Sequence, residues 1–383
     1  MPEIVSPQHD LLLGAALFPG GKAVQAWREW QASVREHGLE PGSHNLFPMV
    51  LRNLRDRVED DPVLDSLQPY RHSVWLRNRQ LSHDLLPAVS RLCEAGFRTL
   101  LLKGAALTAP YYRDPTLRPQ SDLDVLVPAA EFAAACRYLP DHGWMPKGHG
   151  LAVIDPRFKS EIQFAGPAGM ILDLHSRPLD DAAPDLRLED LFWEASVAVS
   201  VEGIETRAFC ASDNLLHVCL HGQKRDPIPH LQWVTDALMI LDRGGDDIDW
   251  ERMVELANGM TLGWQLEPAL GYLQRRFEAP VPDGVFEGLE TETISDFVRV
   301  SQRVRAQGSG RPWDRIRFHY ATFNIGLAGS GPVERLQAVP DYLRHVCQSP
   351  RLWRFPLVLI IKYLRLLKRR LPSWRKMSPR RRR

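Results

Sequence analysis

The stretch LLLKGAALTAPYYRDPTLRPQSDLDVLV, residues 100–127, holds the change of period that decides the fold. Its first residues complete FRTLLLK, 97–103, a short apolar run bounded by Gly96 and Gly104 that reads as a buried strand. AALTAPYY suits a helix starting directly after Gly104, RDPTLRPQS is turn chemistry, and DLDVLV (122–127) is a second strand. Successive strand residues point to opposite faces. Asp122 and Asp124 therefore share one face while Leu123 and Val125 turn into the sheet.

Working outward, the residues before this stretch read as helical. WREWQASVREHG (27–38) and LFPMVLRNLRDRV (46–58) place apolar residues three and four apart, and a longer helix is expected from Tyr70 to Ala95. After DLDVLV comes an Ala-rich helix, EFAAACRYL. Two extended segments follow, Lys159 to Phe164 and Met170 to His175, joined by the turn-former Gly166-Pro167. From Leu188 the chain is expected to be mainly helical again. The pattern is α+β, a small mixed sheet with helices on it. Four regions are expected: a helical start (1–95), an α/β core (96–200), a helical region (201–348), and a basic amphipathic helix with a basic tail (349–383).

Composition fits a globular chain, with 44% hydrophobic and 25% charged residues. The five cysteines are widely spaced and form no CxxC pair, which fits a reducing, cytoplasmic setting better than a disulfide framework. MPEIVSPQHD carries acid rather than the base of a secretory leader, and LLLGAALF is too short to span a bilayer. The net charge of +1 conceals an asymmetry: residues 362–383 hold eleven Lys or Arg and no acid, which leaves about −10 on the rest. Leu357, Ile360, Leu364, Leu367 and Leu371 form one stripe in that terminal segment. The stripe suits docking on the protein's own body, and the basic face suits an anionic membrane surface or RNA, with a peripheral membrane location in the second case.

Two carboxylates held on one strand face repel unless something compensates them. A divalent cation, Mg²⁺ or Mn²⁺, does so while leaving room for phosphates and water. Asp173, in ILDLHSRP at the end of another apolar run, is placed for a neighbouring strand to bring it beside the pair. Three such carboxylates can hold two metal ions, with Asp173 nearest the acceptor and helping to deprotonate its hydroxyl.

The ordered set Leu102-Lys103-Gly104, Tyr111-Tyr112, Arg118, Asp122-Leu123-Asp124 and Asp173-Leu174-His175 resembles the uncharacterised nucleotidyltransferase family of bacteria, within the polymerase β-like superfamily. The likeness continues through LLHVCLHGQKRD, LQWVTDALMIL and DIDWERMVELA, covering roughly residues 75–265. It implies a polymerase β-type sheet with metal ligands at Asp122, Asp124 and Asp173. It also implies an NTP substrate whose nucleoside monophosphate passes to an unknown acceptor, whether small molecule, peptide or protein. The superfamily usually has Gly-Ser after the first strand, where the serine helps hold the triphosphate; here Gly104-Ala105 stands instead. Lys103 and Arg118, with backbone N–H groups from Gly104 onward, are the candidates to supply that contact. The missing hydroxyl also motivates the alternative of a non-catalytic nucleotide-binding or scaffold protein accessory to a biosynthetic pathway.

Lesser candidates have plainer readings. Arg118 also fits a salt bridge that offsets the carboxylates. His175 fits a hydrogen-bonded structural histidine. His217 and His221 share a helix face, but no glutamate lies between them and no third ligand is evident. Trp233 and Asp236 read as a packing residue and a helix-surface charge.

Overall fold

The structure, a computed structural model, describes residues 4–147, 155, 157–179, 186–223, 228–292, 312–327 and 330–347. The proposed basic helix and tail at 349–383 lie outside the described residues. Helices α1 (Pro7–Leu17), α2 (Gly20–His37), α3 (Phe47–Leu54) and α4 (Pro62–Ser66) lead into α5 (Gln68–Glu94). The sheet region then runs β1 (Leu100–Leu101), α6 (Lys103–Leu107), β2 (Asp122–Leu126), α7 (Ala129–Asp141), β3 (Met145–Pro146), β4 (Glu161–Ala165) and β5 (Ile171–His175). After α8 (Leu186–Glu194) come β6 (Val197–Val201) and β7 (Ile204–Ala208). The remaining helices are α9 (Ala211–Gly222), α10 (Gln232–Gly244), α11 (Trp250–Gly259), α12 (Gly263–Phe277), α13 (Asp283–Gly288), α14 (Pro312–Gly326) and α15 (Pro332–Cys347).

The seven strands form one mixed sheet in the order β3-β4-β5-β2-β1-β7-β6. Its two faces have different partners. Leu123, Val125, Leu172 and Leu174 pack into the core formed with Leu81, Leu85, Val89 and Leu92 of α5 and Phe132 and Leu139 of α7. Burying each of these side chains contributes roughly 1.5–3 kcal/mol, so packing rather than intrinsic propensity holds α5 and α7 on the sheet. Alternation sends Asp122, Asp124, Asp173 and His175 to the other face. There Leu100, Leu102 and Leu126 belong to a second core, which α1–α3 share with α9–α12. The first and last helices of that core are tied at Asp10, which accepts from Tyr272 Oη at 2.6 Å and pairs with Arg276 at 2.8 Å.

Two expectations are corrected. The first strand is shorter than 97–103: only Leu100 and Leu101 join the ladder, and Lys103, with φ of 48°, turns the chain directly into α6. Residues 197–208 are not helical but form the β6–β7 hairpin, closed by Glu202-Gly203, both at positive φ (50° and 84°). That turn geometry matches the twist of paired strands. β6 has no fully buried residue, and in β7 only Thr206 and Ala208 are buried. The period of two is present, with Val199, Val201, Ile204 and Ala208 toward the core, but the inward side chains of β6 are only partly buried. No described helix is long and apolar enough to cross a membrane.

Candidate active site

Parallel pairing of β2 with β5 sets Asp124 directly opposite Asp173, and Leu126 opposite His175. Asp124, Asp173 and His175 are all buried, and each offers a ligand atom within 4.8 Å of the others. Asp122 is half-buried on the same face but stands outside that group. Lys103 Nζ donates to Asp124 Oδ1 at 2.6 Å, and His175 Nε2 donates to the same oxygen at 2.9 Å. Gln163, on the neighbouring β4, donates to Asp173 Oδ2 at 3.2 Å. Asp173 Oδ1 is buried with no hydrogen-bond partner. A buried carboxylate oxygen without a donor is costly, and a cation is the partner such an oxygen suits best.

The electrostatics separate the carboxylates. Burial alone would raise Asp124, but Lys103 and His175 reverse this and hold it well below the usual carboxylate range. Asp122 is raised, first by burial and then by Asp124. Asp173 is pushed up to about 7 by burial, followed by Asp124, Glu161 and Asp122, with His175 opposing. Burial opposes the charge on Lys103, yet Asp124, with Asp122 and Glu161, more than offsets it, so its pKa is raised. Widely separated values among neighbouring carboxylates are a common signature of a reactive site.

Lys103, Gly104, Arg118, Gln120, Asp122 and Asp124 wall an open pocket, closed on its far side by α9 and α10 through His217, His221, Trp233 and Asp236. Arg118 is buried and gives Nε and Nη2 to the two oxygens of Asp236 at 2.7 and 2.8 Å. The salt bridge expected of Arg118 thus exists, but with Asp236 rather than with the β2 carboxylates. Asp236 is correspondingly not a surface charge. It is 3% exposed and also accepts from Tyr112 Oη at 2.6 Å. Tyr112 reaches it because the π-helical turn Thr108–Tyr112 extends α6 toward α10. Trp233 is buried as expected.

Gly104 lies where space is short. A Cβ there would meet Gln120 Oε1 at 2.6 Å and Arg118 Nη1 at 2.7 Å. His217 and His221 do share a face, with rings 5.7 Å apart, and His230 stands 5.6 Å from His221. The three do not converge as the carboxylate group does.

Two further residues escaped the sequence reading. Glu161 and Gln163 alternate with buried Ile162 and Phe164 along β4, which puts them on the carboxylate face. That alternation was the available signal.

The donor set, two carboxylates and an imidazole with an orphaned oxygen among them, fits a divalent metal ion.

No curated protein matches the chain. Solved structures similar to it include the following three. One is the lincomycin-bound crystal structure of the lincosamide antibiotic adenylyltransferase LnuA (12% identity, 41% of this chain and 93% of that one, TM-score 0.28). Another is the solution structure of the antibiotic-resistance factor ANT(2'')-Ia (13%, 54% and 95%, TM-score 0.31). The third is the crystal structure of an antigenic nucleotidyltransferase-like protein from Paracoccidioides brasiliensis (14%, 55% and 96%, TM-score 0.33). At such values they carry no information on individual residues of this site. The profile of the family described as uncharacterised nucleotidyltransferase matches residues 33–278, well over half of the chain. The chain belongs to the uncharacterised nucleotidyltransferase family.

Proposed function

We propose that the protein transfers a nucleoside monophosphate from an NTP to an acceptor hydroxyl, using Mg²⁺ or Mn²⁺ held by Asp122, Asp124 and Asp173. The observation that carries this reading is the in-register pair Asp124 and Asp173 on parallel strands, with Asp173 Oδ1 buried and unpartnered. A divalent ion at such carboxylates supplies charge for the triphosphate and acidifies a nearby hydroxyl.

The chain's own residues divide the remaining work. Asp173, directly opposite Asp124 on the neighbouring strand, is placed to take the acceptor's proton. Arg118 is fixed in the pocket wall by Asp236, so its cation is preorganised for phosphate at little further entropic cost. Lys103 and Gly104 border the same pocket. Gly104 keeps the wall low enough for a phosphate to approach.

Incubation with Mg²⁺, each NTP in turn and a panel of hydroxyl acceptors, read by pyrophosphate release and intact mass, tests the proposal. Turnover is expected in the native protein and not in the Asp122→Asn, Asp124→Asn double variant. Binding of metal and NTP without turnover would favour the non-catalytic scaffold reading, which the alanine at 105 motivates. Absence of any metal or NTP binding would overturn both.

A further inference from the structure

The ammonium of Lys103 stands in direct contact with Asp124, one of the carboxylates that a metal ion would need. Its Nζ is 2.6 Å from Asp124 Oδ1, an oxygen already accepting from His175. A divalent ion binds a carboxylate oxygen at about 2.1 Å, so on Oδ1 it would press against the ammonium. Two cations so close in a buried site repel strongly.

We infer that Lys103 is a resident counter-ion of the carboxylate cluster, which leaves Asp124 when a divalent metal arrives and passes to the triphosphate, so that metal and nucleotide bind as a coupled pair. The inference rests on the nucleotidyl-transfer reading of the site.

Three observations support it. First, Asp124, Asp173, Asp122 and nearby Glu161 place negative charge around one small volume, and Lys103 is the Lys or Arg side chain hydrogen-bonded to it among the described residues. Some cation must balance that charge before metal binds.

Second, the two cations of the pocket wall differ in freedom. Arg118 is held by both oxygens of Asp236 and is 8% exposed in its side chain. Lys103 is held by one contact at the end of a flexible four-carbon stem and is 21% exposed. Lys103 can therefore change partners without breaking a second ion pair, whereas Arg118 cannot.

Third, Lys103 has a left-handed backbone, φ of 48°, where an unbranched non-glycine side chain is uncommon. Strain of this kind tends to persist where a side chain must be delivered to a functional site. Both destinations, Asp124 and the open pocket, border the same residue.

The test is Mn²⁺ binding, measured by electron paramagnetic resonance of free Mn²⁺, with and without an ATP analogue whose α–β bridge cannot be cleaved. The native protein is compared with Lys103→Met and Lys103→Gln. Native protein is expected to bind Mn²⁺ weakly alone and about tenfold more tightly with the analogue, a usual size for coupling between sites. The variants should bind Mn²⁺ alone more tightly than native protein and lose most of the analogue's enhancement. Variants that melt early in chelator and recover with Mn²⁺ would also support the inference, because the missing cation is then replaced.

Unchanged or weaker Mn²⁺ binding in the variants, or retention of the full enhancement, would overturn it while leaving the nucleotidyl-transfer reading standing. So would failure of both variants to fold even with Mn²⁺, which assigns Lys103 to the scaffold. If native protein binds neither Mn²⁺ nor the analogue, the underlying reading itself fails.

Discussion

Replacing Asp173 with asparagine should make the protein more stable in the absence of metal while removing its activity. Ionised Asp173 is costly in the fold: burial and the neighbouring Asp124, Glu161 and Asp122 raise its pKa from 3.8 to about 7. That rise bounds the cost at about 4 kcal/mol once the pH is well above 7. The folded pKa is higher than the unfolded one. The associated stability is therefore complete below pH 4 and lost as the pH climbs through 7. Asp124, shifted the other way, is ionised in both states throughout this window and contributes no slope. Asparagine keeps the acceptor for Gln163 and carries no charge. Urea denaturation in chelator from pH 5 to 8 should show native protein losing up to several kcal/mol, and Asp173→Asn changing much less. At pH 8 the variant should be the more stable by about 2–4 kcal/mol, and Mn²⁺ should stabilise native protein alone. A variant that is less stable than native protein at pH 8 in chelator would refute this electrostatic account of the site.

Other outcomes follow from neighbouring contacts. Asp236→Ala leaves the buried Arg118 guanidinium unpaired and removes an acceptor from Tyr112, so it should cost about 3–5 kcal/mol, measured by chemical denaturation. The Arg118→Met, Asp236→Leu pair should recover much of that stability without recovering nucleotide binding. Gly104→Ala forces a methyl to within 2.7 Å of Arg118 Nη1, which Asp236 prevents from moving away. A loss of about 1–3 kcal/mol in stability and weaker NTP binding by calorimetry are expected, whereas an unchanged affinity would show that this wall does not meet phosphate. Because metal must displace the proton of Asp173, Mn²⁺ affinity should rise between pH 6 and 8 and then level off. A flat profile would contradict that role for Asp173.

The sequence carried the chemistry better than it carried the geometry. Asp122 and Asp124 announced a shared face through the period of two, and the apolar run before Asp173 marked a strand. Their pairing in parallel register was not readable, since it depends on how α7, β3 and β4 fold back between them. The partner of Arg118 lies 118 residues away, and nothing local distinguishes Asp236 from a solvated helix charge. Its burial is created only when α10 closes the pocket. The hairpin at 197–208 was legible and passed over: Val199, Val201, Ile204 and Ala208 face the core while Ser200, Glu205 and Arg207 face away, a short period of two on either side of Glu202-Gly203. The left-handed backbone at Lys103 was hidden, because local sequence favours glycine for that conformation and glycine follows one position later.

Nucleotidyl transfer as proposed depends on a divalent metal held by the in-register carboxylates of β2 and β5. Crystals grown with Mn²⁺ and a non-cleavable NTP analogue, with data collected at the manganese absorption edge, test it most directly. An anomalous peak is expected within bonding distance of Asp124 and Asp173, beside the analogue's phosphates and with Lys103 moved off Asp124. A peak elsewhere, for example among His217, His221 and His230, or analogue bound without any metal at the carboxylates, would contradict it.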